Sequence, residues 1–113
     1  MINDIVDTFI KLNTAGKILE LCETVYADDV QMFNDGLIFA SSKKEAFEKQ
    51  AGYANSITEC HIELISKEIK ENEAILVFRY DMKTNEQEMN FVGQHKIYVD
   101  NDKIVKEEYV GLS

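Results

Sequence analysis

Proline is absent from this chain of 113 residues, and no stretch is rich in glycine and serine. Segments rich in those residues usually form interdomain linkers and low-complexity tails. Their absence, together with a length typical of one domain, predicts a single domain over residues 1–113.

Cysteine is scarce. Cys22 and Cys60 stand alone, and neither belongs to a CxxC motif or a Cys/His cluster. The spacing therefore gives no support to a disulfide framework or a structural zinc site. We expect two reduced, buried thiols and neither a metal nor another cofactor.

Basic residues are also few. Twelve Lys and Arg stand against 21 Asp and Glu, which gives a net charge of −9, and Arg79 is the only arginine. This charge repels nucleic-acid backbones and anionic membranes, and a lone arginine cannot form a phosphate-binding cluster. The longest apolar runs are too short to cross a bilayer. We expect neither a nucleic-acid nor a membrane partner.

The first seven residues carry Asp4 and Asp7 where a secretory signal would carry Lys or Arg. They also lack the long apolar stretch that such a signal needs. The sequence therefore predicts a cytoplasmic location.

The first half of the chain has helical periodicity. Apolar residues recur at helix spacing in two groups: Ile2, Ile5, Val6 and Phe9, and then Ile18, Leu21, Cys22 and Val25. Val30 to Asn34 predicts a short strand, because the Asp35-Gly36 turn signal follows it. Ser42 and Glu45 form a capping box, which predicts a third helix over about residues 43–56.

From Glu59 onward the apolar residues alternate. Turns at 71–73, 84–86 and 100–102 divide this part into four long antiparallel strands. Helices followed by such a meander predict an α+β domain with one sheet face against the helices. The strand that contains Leu76 and Val77 is apolar on both sides in its first half. We therefore expect a homodimer that packs sheet to sheet.

Two segments carry a family resemblance. Tyr26-Ala27-Asp28-Asp29-Val30 and the last eleven residues, 103–113, resemble in order and spacing the SnoaL-like branch of the nuclear transport factor 2 superfamily. The resemblance implies a conical α+β barrel in which three N-terminal helices pack on a strongly bent antiparallel sheet. Members include isomerases, cyclases, dehydratases and proteins without chemistry, so the resemblance names no substrate.

The resemblance also implies that Val30, Met32 and Asn34 point inward. Asn34 falls where the ketosteroid isomerases hold their catalytic aspartate, and an amide cannot abstract a proton. Phe9 matches the isomerase tyrosine and lacks its hydroxyl. We therefore expect Asn34 to bind and orient a substrate rather than to act as the base. Asp35 could replace the base only if the strand ended one residue later.

His95 is the catalytic candidate. It lies on the more apolar face of its strand, which reads Phe91, Gly93, His95, Ile97 and Val99. Histidine titrates near neutrality and suits a general acid or base, although a tyrosine or a backbone carbonyl could equally satisfy it in a core. A one-residue shift of the family alignment decides whether His95 or Gln94 matches the second acidic group of the isomerases. Gly93 predicts either a ligand that approaches the sheet closely or a bulge.

Three further residues are candidates for substrate binding. His61 lies in a stretch that resembles scytalone dehydratase near its active-site histidine, but its strand face, shared with Glu59 and Glu63, is the less apolar one and indicates solvent exposure. Glu107 is either a cavity carboxylate or a surface residue. Tyr80 is a possible hydroxyl donor, as are Tyr53 and Tyr109.

Together these residues predict a domain that binds a small-molecule ligand. Such a domain could catalyse proton transfer, as in isomerisation, cyclisation or dehydration of a small apolar carbonyl compound. The alternative is a non-catalytic dimerisation or ligand-binding module of the same fold, which would explain the missing isomerase base and phenol equally well.

Overall fold

The computed structural model describes residues 2–112, so Met1 and Ser113 of the predicted domain lie outside the described part. Within residues 2–112 the chain forms three helices: α1 (Ile2–Thr14), α2 (Ile18–Val25) and α3 (Lys43–Ala54). The same residues form six strands: β1 (Tyr26–Asn34), β2 (Leu37–Ala40), β3 (Ile57–Lys70), β4 (Glu73–Thr84), β5 (Glu88–Asp100) and β6 (Lys103–Gly111).

The capping box starts α3 where the sequence predicts it. The Ser42 hydroxyl accepts the backbone N–H of Glu45 at 3.1 Å, and the Glu45 carboxylate accepts the backbone N–H of Ser41 at 2.7 Å. The first bond satisfies an N–H group that the first helical turn leaves free, and the second satisfies the N–H of the residue before the N-cap. The helix ends at Ala54, two residues before the predicted end.

The six strands form one sheet in the order β2-β1-β6-β5-β4-β3. The α+β prediction is confirmed, with one refinement: β1 pairs with β6 in parallel, so the sheet is mixed rather than antiparallel throughout. The sheet is open, with β2 and β3 at its edges. Register shifts between Leu64 and Ser66 and between Tyr98 and Val99 interrupt two ladders, and such bulges bend a sheet.

Strand β2 was not predicted from the sequence. Its four residues include the exposed Leu37 and Ile38 and show no alternation of burial that a pattern could reveal. The hairpin turn between β1 and β2 is the one predicted, with Asp35 at φ 50° and Gly36 at φ 86°. A residue with positive φ is most often Gly, Asn or Asp, which explains this pair.

The hydrophobic core lies between the helices and the inner face of the sheet. The helices contribute Val6, Phe9, Leu21, Cys22 and Val25, and the strands contribute Val30, Leu76, Phe78, Ile97 and Ile104. Cys22 is buried as expected, but the prediction for Cys60 is wrong, since this residue is exposed. Cys60 lies on β3, the edge strand, where a strand covers only one side.

The outer face of the sheet is partly apolar. Ile75 and Val77 of β4 point away from the helices and are half-buried, while Arg79 next to them on that face is exposed. In residues 2–112 no helix is both long and apolar enough to span a membrane.

Candidate functional site

A cavity of about 620 Å³ lies between the helices and the inner face of the sheet. Apolar side chains form most of its wall, among them Phe9, Leu21, Met32, Met82 and Phe91. A cavity of this volume, apolar with a few converging polar groups, is typical of a small-molecule site.

Five polar side chains on the wall form one continuous hydrogen-bonded network. The Tyr26 hydroxyl donates to Oε1 of Glu107. The other carboxylate oxygen of Glu107, Oε2, lies 2.9 Å from Nδ1 of His95. Nε2 of His95 lies 2.5 Å from the hydroxyl of Tyr80, which in turn accepts a bond of 3.1 Å from Nδ2 of Asn13.

The directions of these bonds define the histidine tautomer. Because a carboxylate only accepts, Nδ1 of His95 carries a proton and donates it to Glu107. In the neutral form of the ring, Nε2 carries the lone pair and accepts the hydroxyl proton of Tyr80. Asn13 donates to the Tyr80 oxygen and so keeps that proton directed at the imidazole.

The strand pairings bring the network together. In the antiparallel ladder of β5 and β6, Ile97 is opposite Glu107 and His95 is opposite Tyr109, so the side chains of His95 and Glu107 share one face and both point into the cavity. Tyr26 reaches the same carboxylate because β1 starts beside Ile104 of the neighbouring strand β6.

Aromatic rings surround His95. Ring centroids lie at 5.5 Å for Phe9, 5.6 Å for Phe78 and 5.0 Å for Tyr109, each in an edge arrangement with the imidazole. The side chain is only 12% exposed. These contacts exclude most water and fix the orientation of the ring, which strengthens its interaction with Glu107.

Burial keeps both network tyrosines protonated. It raises the pKa of Tyr26 well above 10, and the adjacent charge of Glu107 raises it further. Burial is also the main cause of the raised pKa of Tyr80, against the lowering effect of the bond from Asn13. Both side chains therefore serve as neutral hydroxyl donors.

The structure brings three of the candidate residues together: His95, Glu107 and Tyr80. Asn34 also lines the cavity, at the end of β1, where the residue is exposed. His61 lies outside the cavity wall, because it is on the other face of β3: its side chain is 74% exposed and its Nε2 is 3.9 Å from the Glu63 carboxylate.

Gly93 has a different role from the two that the sequence suggested. The ladders on both sides of it are in continuous register, so it marks no bulge. The group that approaches it closely is the ring of Tyr109.

Sequence reasoning missed Asn13 and Tyr26. Asn13 is four residues after Phe9 and thus on the buried face of α1, where an amide is unusual and needs a partner. Tyr26 opens the Tyr-Ala-Asp-Asp element, but the sequence holds no local signal for its pairing with a residue 81 positions away.

In the described part of the chain, no three or more His, Cys, Asp or Glu side chains are arranged so that they could hold a metal ion.

Comparison with solved structures identifies the fold. A protein from Mesorhizobium loti described as a SnoaL-like polyketide cyclase superposes with a TM-score of 0.80 at 17% identity, over 96% of this chain and 97% of that one. A protein with a ketosteroid isomerase-like fold from Catenulispora acidiphila, solved with trimethylamine, gives 0.76 at 12% identity, over 96% and 85%. The chain has the SnoaL-like fold. No protein-family model matches it, and no curated protein matches it.

A protein from M. tuberculosis described as an LEH-like epoxide hydrolase is also similar to this chain in fold. It superposes with a TM-score of 0.79 at 9% identity, over 96% of this chain and 80% of that one. Because all three identities are low, the similarity establishes the fold alone, and the chemistry has to be argued from the site.

Proposed function

We propose that this SnoaL-like domain binds a small carbonyl compound and catalyses proton transfer next to the carbonyl group, with His95 as the general base. The observation that supports this proposal is the network of Tyr80, His95 and Glu107 in an apolar cavity. A histidine hydrogen-bonded to a carboxylate and a hydroxyl that converge there form a general acid–base set.

The proposed reaction needs one rearrangement of the network. The hydroxyl of Tyr80 turns from Nε2 of His95 to the carbonyl oxygen of the ligand, which frees the lone pair of Nε2. That nitrogen takes a proton from the carbon next to the carbonyl, and the electron pair of the broken C–H bond moves to the carbonyl oxygen. Tyr80 stabilises the resulting enolate oxygen by donating to it, and Glu107 stabilises the imidazolium.

The raised pKa of Tyr80 fits this role. A phenol that stays protonated remains a hydrogen-bond donor to the developing negative charge. Tyr80 on β4 would thus supply the hydroxyl that Phe9 on α1 lacks, and both rings are close to His95. Returning the proton to another carbon would give an isomerase, and expelling a leaving group would give a dehydratase.

The test is proton exchange at a ketone in heavy water. The probe 2-acetyl-6-methoxynaphthalene carries one exchangeable methyl group, whose NMR signal is lost as deuterium replaces hydrogen. We expect the wild type to accelerate this loss and His95→Ala to lower the rate by roughly 10²-fold or more. His61→Ala is the matched control, because it removes the exposed histidine.

The same experiment separates the proposal from its alternative, a non-catalytic ligand-binding module. Intrinsic fluorescence of the naphthalene reports binding independently of exchange. A probe that binds but exchanges only at the buffer rate would favour the binding module.

We also propose that the domain forms a homodimer through the outer face of the sheet. Ile75 and Val77 on this face support the proposal, since half-buried apolar side chains gain from a second layer. Sedimentation equilibrium checks it, and a Val77→Lys variant should shift the mass toward that of the monomer.

A further inference from the structure

Gln50 of α3 lines the cavity and takes no part in the network described above. Its side-chain carbonyl oxygen is buried and has no hydrogen-bond partner among the residues that the structure describes. Buried side-chain oxygens are nearly always paired in native proteins, so a lone one on a cavity wall needs an explanation.

The neighbours of Gln50 do not supply that partner. Lys49 also lines the cavity, but its ammonium group donates to the carbonyl oxygen of Phe39 at 2.5 Å. Tyr53, one turn after Gln50, directs its hydroxyl at the sulfur of Met82 at 3.9 Å. This contact holds the face of α3 that carries Gln50 and Tyr53 against β4. Tyr80 lies on that strand, two residues before Met82.

The amide of Gln50 can reach a ligand with a small movement. The terminal torsion of a glutamine is broad, so rotation about it turns the oxygen toward the cavity at little cost. A hydroxyl or N–H group of a ligand would then donate to it. The oxygen loses no existing bond to the protein, so the only hydrogen bond given up is that of the ligand's donor to water.

We infer that the cavity takes a carbonyl compound with a second polar group, a hydroxyl or N–H that donates to the side-chain oxygen of Gln50. This inference rests on the proposed function, because it assumes that the ketone binds at Tyr80. It narrows the substrate class from simple apolar ketones to hydroxylated or amino-substituted ones. Gln50 is then a residue that determines specificity, since a ligand without the donor leaves the oxygen unpaired.

The test uses three fluorescent probes with the same ketone: 2-acetyl-6-hydroxynaphthalene, its methoxy analogue and the unsubstituted 2-acetylnaphthalene. The hydroxyl compound brings a donor, the methoxy compound brings only an acceptor, and the unsubstituted one controls for size. We expect the wild type to bind the hydroxyl compound roughly 10-fold more tightly than the other two. Gln50→Leu should remove this preference, because the hydroxyl of the ligand then has no acceptor at this position.

Tyr80→Phe distinguishes a failure of the inference about Gln50 from a failure of the proposed function. It should weaken the binding of all three probes by a similar factor, because they share the ketone. Probes that depend on Tyr80 but show no hydroxyl preference would overturn the role of Gln50 alone. If Tyr80→Phe leaves the affinity of all three probes unchanged, or if no probe binds, the proposed function is overturned and this inference with it. A preference for the methoxy compound would mean that the amide nitrogen faces the ligand, and would also overturn the inference.

A second variant tests the unpaired oxygen without any ligand. Gln50→Met keeps the length of the side chain and removes its polar atoms. Because an unpaired buried oxygen costs stability, we expect the ligand-free variant to have a higher melting temperature than the wild type. A lower or equal melting temperature would show that Gln50 is already paired, which would overturn the inference.

Discussion

The ring of Tyr109 on β6 lies directly against the backbone of Gly93 on β5. A Cβ atom added at Gly93 would be 2.5 Å from the Tyr109 hydroxyl oxygen and 2.8 Å from Cζ of the same ring. Both distances are shorter than real contacts of a Cβ atom allow. Gly93 is therefore required here because it lacks a side chain, and the ring that it admits lies 5.0 Å from that of His95.

Substitution of Gly93 by alanine should displace Tyr109 and loosen the packing around His95. We expect a loss of about 1–3 kcal/mol in the free energy of unfolding, as is usual when a packed region is overfilled. Urea unfolding measures this loss, and the ketone exchange rate should fall with it.

Tyr109→Ala provides the background for a double-mutant cycle. Once the ring is gone, the added methyl group at residue 93 has space, so Gly93→Ala should cost much less in that background. An equal cost in both backgrounds would show that the clash with Tyr109 is not the cause.

Glu107 and Glu108 are adjacent on β6, so one can be changed as the control for the other in a test of the hydrogen bond between Glu107 and His95. Glu107 is buried and accepts from Tyr26 and His95, whereas Glu108 faces the other side and accepts from Tyr98 at 2.8 Å. Glu107→Gln replaces one accepting oxygen by a donor, which leaves a buried donor unpaired. We expect it to lower the free energy of unfolding by about 1–3 kcal/mol and to suppress exchange.

The control, Glu108→Gln, should change the free energy of unfolding by less than about 1 kcal/mol, because the side chain is partly solvated. Chemical denaturation of both variants at neutral pH provides the comparison. Equal losses in the two variants would contradict the importance of the buried network.

Local periodicity predicted the part of the site that depends on one strand at a time. Alternation on β5 indicated that His95 faces inward, and alternation on β6 left Glu107 as one of two carboxylates that could do so. The alternation with a period of two is a property of the strand itself, so it can be read from the sequence without knowledge of the fold.

The remainder of the site depends on pairings between distant segments. The parallel alignment of β1 with β6 brings Tyr26 to Glu107, and the packing of α1 on the sheet brings Asn13 to Tyr80. Neither contact has a local sequence signal. Cys60 was misjudged for a related reason, since its strand pattern is apolar but its place at the sheet edge is set by topology.

The buried ionisable groups predict a loss of stability in alkali. Burial raises the pKa of Cys22 from 9.0 to about 11, and burial is also the main cause of the raised pKa values of Tyr26 and Tyr80. As the pH rises past the unfolded-state values of 9.0 and 10.0, the unfolded chain releases these protons while the native state keeps them. The native state then binds more protons than the unfolded state, so the free energy of unfolding falls as the pH rises.

Each group that is fully ionised in the unfolded chain and still protonated in the native state should contribute a slope of about −1.4 kcal/mol per pH unit. Urea unfolding in a pH series from neutral to about 11 measures the sum. Tyr26→Phe removes one of these groups, so its slope above pH 10 should be shallower than that of the wild type. A free energy of unfolding that stays constant or increases over this range would mean that the Cys22 thiol and the Tyr26 and Tyr80 hydroxyls are solvated. That result would contradict the buried hydrogen-bonded network around Glu107.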